Sequence, residues 1–319
     1  MLAAVNAKGG IRGRPLQLVV LDDGGSKATV LANTKVLVEQ HKVVALIGYT
    51  SGAGVEATLP YLDGQGVALV GPATGNMGIR AAHHKALFHV RAGYFDEMRK
   101  IANHLSTMGL TRFALAYLND VGPANPKAMV DALARNNLKA VASVALNRNA
   151  DNFDREAETL MKGEPETVLF ISNGRPVTKL VAAMRARGYT GQFAIASFAG
   201  TGIVDDLKGA ARGLILSQVL PPPTAKHLKL IASYQADMAN FRPTAVPNYT
   251  NLEGYVAARV LVEGLRRAAG DSPSKVIAGL EGLSRVDLGG YEIDYSSTDH
   301  SGSRHVNTGI VDRDGNLRF

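Results

Sequence analysis

Short apolar runs recur along this chain at a spacing of about 25 residues, and most of the intervals between them carry a helical pattern. The runs are Leu16 to Leu21, Val43 to Gly48 and Val67 to Val70, then Phe113 to Leu118, Ala140 to Leu146, Thr167 to Ile171 and Gln192 to Ala196. They are continuously apolar rather than alternating, as strands are when helices cover both faces of a sheet. Strand, helix and parallel strand joined by right-handed crossovers make a doubly wound α/β fold. At 319 residues the chain is long enough for two such domains.

The intervals support this reading. Lys27 to Gln40 carries Val30, Leu31, Thr34, Leu37 and Val38 at helical spacing, with Ser26 placed to cap it. Val55 to Leu62, Glu97 to Met108, Lys127 to Arg135, Val177 to Arg187, His227 to Phe241 and Tyr255 to Ala269 read as helices too. The pattern breaks between Pro72 and Phe113, and again at Pro221-Pro222-Pro223, a stiff extended connector. Leu288 to Ser296 and Arg304 to Val311 read as strands, and Asp312 to Gly315 as a hairpin turn, so the tail is mixed or antiparallel. The chain opens in a helical stretch, Met1 to Ala7. A helix ahead of the first strand of a doubly wound sheet normally follows a strand of its own, so the expectation is that a first strand is missing.

Charge and residue types exclude several functions. The net charge of +7 comes from scattered basic residues and not from a run that tracks a phosphate backbone. Aromatics make up 6%, which is poor material for base stacking, so no nucleic-acid partner is expected. There is no cysteine, hence no disulfide, thiolate nucleophile or Cys-based metal site. No apolar run reaches the ~20 residues of a membrane helix, and no signal peptide is present in this sequence. The motifs GxSxG, HExxH, GxGxxG and GxxxxGK[ST] are all absent. His83, His84 and His89 have no carboxylate at matching spacing and read as a solvated connector, not a metal site. Asp22-Asp23 reads as the cap of a turn rather than a magnesium site. No cofactor and no metal is expected.

In open α/β sheets, ligands bind beyond the carboxyl ends of the strands. The candidate ligand-binding residues therefore lie in the loops that follow the runs. Ser51 and Gly52 lie in the loop Tyr49 to Gly54, ahead of the helix Val55 to Leu62, whose free N–H groups suit a carboxylate. Ala73, Thr74 and Gly75 follow the next strand, and Asp120, Asn173, Ser197 and Phe198 follow the strands of the second set. Any one of these loops is ordinary structure by itself. Taken together, they describe small polar groups converging on one ligand through many hydrogen bonds.

The run from Ala4 to Val19 (AVNAKGGIRGRPLQLV), followed by Asp22-Asp23, resembles the leucine/isoleucine/valine-binding protein family of type I periplasmic solute-binding proteins. The resemblance continues through Ile47-Gly48, Pro60-Tyr61, Gly66-Val67, Gly71 to Thr74, Gly109 to Tyr117 and Leu180 to Gln192, nearly the whole chain. It implies two Rossmann-like lobes joined by three crossovers. Lobe one would be residues 1–91 and 220–284, and lobe two residues 92–219 and 285–319. It also implies a periplasmic, non-enzymatic component of an ABC importer, with a small-molecule ligand (an amino acid or organic acid) and a permease in the inner membrane as partners. In the family, first-lobe loops grip the ligand carboxylate, here at Ser51-Gly52 and Ala73 to Gly75, and a second-lobe acid meets the ammonium group. That acid would fall near Ser197-Phe198, where this chain has none, and the family's YGxG stretch is here Val121-Gly122-Pro123-Ala124. Both departures weaken the case for an α-amino acid, although Glu253 and Asp120 remain as acids that can supply charge. A ligand-sensing module of the same fold, signalling to a partner protein, is the alternative, with a Rossmann-type enzyme a more distant one.

Overall fold

A computed structural model describes residues 1–319 in full. The chain divides into two units. The first comprises Met1–Thr74, Ala82–Arg91 and Leu220–Arg304, and the second Gly75–Ala81, Ala92–Val219 and His305–Phe319. Apart from the excursion at residues 75–81, the chain passes from unit to unit at 91–92, 219–220 and 304–305.

The first unit begins with α1 (Leu2–Asn6) and α2 (Lys27–Glu39). Ser26 caps α2 by accepting from the Thr29 N–H, and Val30, Thr34 and Val38 form its buried stripe. Then come β1 (Ala45–Leu46), α3 (Gly52–Gln65), β2 (Ala68–Val70) and β3 (Leu87–Phe88), a parallel three-stranded sheet in the order β1-β2-β3. β3 lies in the stretch read as a solvated connector. Its flanking residues Ala86 to Arg91 are buried, His89 included, because the sheet takes them as a third strand. Leu16 to Leu21, expected as a strand, belongs to no ladder. Leu18 to Leu21 line a groove of about 240 Å³ together with Ile47, Gly48 and Tyr49, and no strand lies hydrogen-bonded beside them. The Asp22 and Asp23 carboxylates accept from the Gly24 and Gly25 N–H groups at 2.9 and 2.7 Å, the turn-capping role read from the sequence.

The second unit runs α4 (Tyr94–Thr107), β4 (Phe113–Leu118), α5 (Ala124–Ala134), β5 (Ala140–Leu146), α6 (Asp154–Lys162), β6 (Thr167–Ile171), α7 (Gly174–Ala186), β7 (Gln192–Ile195), α8 (Ile203–Leu207) and β8 (Ile215–Gln218). β8 is an element that the sequence pattern did not single out. The strands from β4 to β8 pair in parallel. β6 is buried at every residue, as a strand covered on both faces must be. β5 sits at the sheet edge and alternates buried and exposed residues over much of its length. Phe170 and Phe193 lie in one core layer with ring centroids 6.0 Å apart, each contributing roughly 2–3 kcal/mol by burial.

The chain then returns to the first unit through α9 (Lys229–Phe241), α10 (Tyr249–Arg267), α11 (Pro273–Glu281) and the antiparallel pair β9 (Val286–Asp287) and β10 (Glu292–Ile293). β11 (Asn307–Val311) and β12 (Leu317–Arg318) close the second unit's sheet in antiparallel fashion, giving the order β12-β11-β8-β7-β6-β4-β5.

Residues 285–304 were expected in the second lobe, but they pack with the first unit. Long-range hydrogen bonds that no local pattern announces hold them there. The Tyr291 hydroxyl donates to the Val90 carbonyl at 2.7 Å, and the Tyr295 hydroxyl to the His89 carbonyl at 2.9 Å. The His89 N–H donates to the His300 carbonyl, and the Gly302 N–H to the His89 carbonyl, both at 2.9 Å. The two passages beside 91–92 and 304–305 thus run paired. Residues 75–81 group with the second unit instead, because the Met77 N–H donates to Asn125 Oδ1 and the Tyr94 N–H to the Gly75 carbonyl.

His300 is stacked on Phe88, centroid to centroid 3.8 Å, with His83 edge-on at 4.6 Å. Its Nδ1 faces the carbonyls of His84 and Leu87 at 3.2 and 3.1 Å, so Nδ1 carries the proton and donates. Its Nε2 lies 3.5 Å from Glu281 Oε1. Burial, then the neighbouring His83, lower its pKa from the ordinary value. The folded chain therefore binds fewer protons here than the unfolded chain does below about pH 6.5. Stability should fall as pH drops through that value, an effect measurable by urea unfolding between pH 5.5 and 8. His300→Phe keeps the stack and should shallow the slope, whereas an unchanged slope would show that this ring is not a source of it.

Candidate ligand-binding site

Each unit carries candidate residues at the outlets of its own sheet. In the first unit, β1 leads through Gly48 and Tyr49 to Ser51, the N-cap of α3. Ser51 Oγ accepts from the Gly54 N–H at 3.1 Å, which leaves its own O–H available to donate. The N–H groups of Gly52 and Ala53 open the helix without intrahelical partners. The outlet of β2 is tied to this loop by the Ala73 N–H, which donates to the Tyr49 carbonyl at 2.7 Å. The loops that carry Ser51-Gly52 and Ala73-Thr74 are therefore tied together. Tyr49 turns inward, its hydroxyl 2.7 Å from Thr34 Oγ1, and burial raises its pKa. Thr74 is buried and Ala73 half-buried.

Gly75 belongs to the second unit, where it lies on the ring of Tyr94, the first residue of α4. A Cβ at Gly75 would sit 2.5 Å from that ring, so only glycine allows the approach. Tyr94 in turn meets half-buried Phe198 with centroids 6.1 Å apart. Phe198 follows β7 in a single turn of 3-10 helix, Ser197–Ala199. The Ser197 N–H donates to Glu97 Oε2 at 2.7 Å, and the Ser217 hydroxyl donates to the same oxygen at 2.6 Å. An acid does stand behind this loop, but it is fully buried and engaged from two sides.

Asn173 occupies the N-cap position of α7 without capping it, and its Oδ1 is buried with no hydrogen-bond partner. A Cβ at Gly174 would fall 3.1 Å from the Ala199 carbonyl, so the β6 and β7 outlets abut. Asp120 follows β4 and is held bidentately by Arg148, which follows β5, with one contact of 2.8 Å. The Asp120 pairing raises the Arg148 pKa. Asp120 is thus set among the other outlet loops, but as half of an ion pair.

Arg148, Tyr94 and Glu97 escaped the sequence reading. Arg148 was within reach of the strand-end rule, since it lies two residues beyond the run Ala140 to Leu146. Nothing local marks Tyr94 or Glu97, whose partners are tens of residues away. His84 Nδ1 pairs with Asp63 at 2.9 Å, and no three His, Asp or Glu side chains gather anywhere as metal ligands. No helix is long and apolar enough to cross a membrane.

The family model described as periplasmic binding protein matches residues 1–316. The chain belongs to that family. The family and the fold are those of substrate-binding proteins, not enzymes. An "Amino acid binding protein" of Pseudomonas aeruginosa is 23% identical over 276 residues, covering 85% of this chain and 72% of the relative. An extracellular ligand-binding receptor from Verminephrobacter eiseniae superposes with a TM-score of 0.92 at 28% identity, covering 100% of this chain and 92% of the other. A possible leucine/isoleucine/valine-binding protein from Rhodopirellula baltica gives 0.91 at 24% identity, covering 98% and 87%. A branched-chain amino acid ABC transporter protein from Thermus thermophilus, described with bound valine, gives 0.86 at 16% identity, covering 99% and 87%. These likenesses establish the type I periplasmic-binding-protein fold.

Gly75→Ala should destabilise the chain by about 1–3 kcal/mol, because the new methyl meets the Tyr94 ring. Gly64→Ala is the control. It is helical, with nothing within 4 Å of its Cβ position, and should be neutral or slightly stabilising. Urea unfolding of both variants checks the contrast, and equal midpoints would remove the packing role assigned to Gly75.

Proposed function

We propose that this protein is the solute-binding component of an ABC importer, working in the periplasm and delivering a small amino acid or carboxylate-bearing metabolite to a permease of the inner membrane. The observation that carries the reading is the chemistry of the outlets. The first unit offers Ser51, the open N-terminus of α3 at Gly52, and the β2 outlet Ala73-Thr74 tied to them. These donors suit a carboxylate. The second unit contributes Gly75, Asn173, Ser197 and Phe198, with Asp120 and Arg148 beside them. The family of substrate-binding proteins and the neighbours described as ABC transporter proteins support the same role.

The mechanism is hinge closure at the passages near 91–92, 219–220 and 304–305. The first unit binds the solute's carboxylate and the second then captures the remainder. A solute that interacts better with the closed than with the open chain shifts that equilibrium by its difference in affinity and by no more. The closed form is what a permease reads.

Titration calorimetry of the full chain with amino acids, short-chain acids and aromatic acids tests this. One class should bind. Ser51→Ala should then weaken that ligand by about tenfold, the loss of one good hydrogen bond. If no class produced heat and natively purified, then denatured protein released no small molecule on mass spectrometry, the binding role would be wrong.

A further inference from the structure

We infer that the solute is an organic acid without an ammonium group, a plain, 2-oxo or 2-hydroxy carboxylate with an apolar body. The inference rests on the solute-binding reading above and narrows its ligand class. An α-amino acid brings a cation as well as a carboxylate, and a binding site must meet that cation with an acid or with several acceptors. The acids carried by the outlet loops themselves, Asp120 and Asp151, are already held by cations.

In the second unit, Asp120 is held bidentately by Arg148. Asp151, in the loop after β5, is held by Arg175 and by Lys179, the latter at 2.6 Å. Glu97 accepts from the Ser197 N–H and the Ser217 hydroxyl, from inside the fold. The loops Ser172-Asn173 and Ala196 to Gly202 carry no acid at all. In the first unit, Glu253 accepts from Arg91 at 3.2 and 3.4 Å, with the Arg91 side chain almost fully buried. Asp22 and Asp23 close their own turns.

Each of these acids is therefore matched by a cation or by N–H and O–H donors of its own unit. An arriving ammonium would have to share one of these acids with a cation that repels it, or displace that cation. An arriving carboxylate meets no such conflict, because the α3 N-terminus and the Ser51 hydroxyl are donors. The apolar remainder has half-buried Phe198 to rest on, backed by Tyr94.

The test uses matched pairs on the full chain by titration calorimetry: leucine against 4-methyl-2-oxopentanoate and 4-methylpentanoate, and phenylalanine against phenylpyruvate. The acid of at least one pair should bind ten or more times more tightly than its amino-acid partner. Arg148→Gln, which releases Asp120, should narrow that gap by improving the amino acid. An amino acid that binds as well as or better than its acid overturns the inference and leaves the solute-binding reading standing. Absence of binding by every member, together with no small molecule released from the denatured protein, overturns both.

Discussion

A parallel strand cannot rejoin its own sheet without a crossover, and that constraint places the candidate site. Because β4 to β8 all run the same way, every loop leaving a strand emerges at one end of the second unit's sheet. Asp120, Arg148, Asn173 and Ser197 are scattered through the sequence, yet topology alone delivers them to a common edge. The short sheet of the first unit does the same for Ser51 and Thr74. Within each unit the chemistry is gathered by backbone geometry, and the side chains need only be small, polar and correctly capped.

Beneath the second unit's outlets lies a polar anchor. Glu97 projects from the first turn of α4 and is bound by a backbone N–H after β7 and by a hydroxyl on β8. A buried carboxylate with such partners is costly to leave half-satisfied. It therefore fixes α4 against two strands and, through Tyr94 on the same helix, fixes the floor on which Gly75 and Phe198 rest. The loop at Ser197-Phe198 has no acid of its own, and the acid behind it, Glu97, is spent on holding the loop.

The sequence revealed what short-range pattern controls. β4, β5 and β6 occupy the ranges read from their apolar runs, and β7 stops one residue short of its run, because strands enclosed in a sheet must be apolar residue after residue. Ser26 caps α2 as read, because its position before a helix decides its hydrogen bonding, whereas α3 starts at Gly52, ahead of the Val55 read from the sequence, and takes Ser51 as its cap. Contacts fixed by distant partners were not legible. Leu16 to Leu21 has strand composition but no neighbour to pair with. Leu87-Phe88 hides in a histidine-rich connector, yet becomes β3 because β2 offers an edge. Residues 285–304 follow Tyr291 and Tyr295 to carbonyls some 200 positions away in the chain. Of the candidate site, the small polar residues were foreseeable from strand ends. The pairing that neutralises Asp120 was not, since an acid and an arginine 28 positions apart give no local sign of meeting.

The interrupted course of the first unit bears on synthesis. Its residues come from Met1–Thr74, Ala82–Arg91 and Leu220–Arg304, with most of the second unit lying between them in the chain. A ribosome therefore releases the strands β4 to β8 before α9, α10 and α11 exist, and the first unit's opening segments wait unfinished for partners made more than a hundred residues later. The nascent chain cannot complete its units in the order in which they begin.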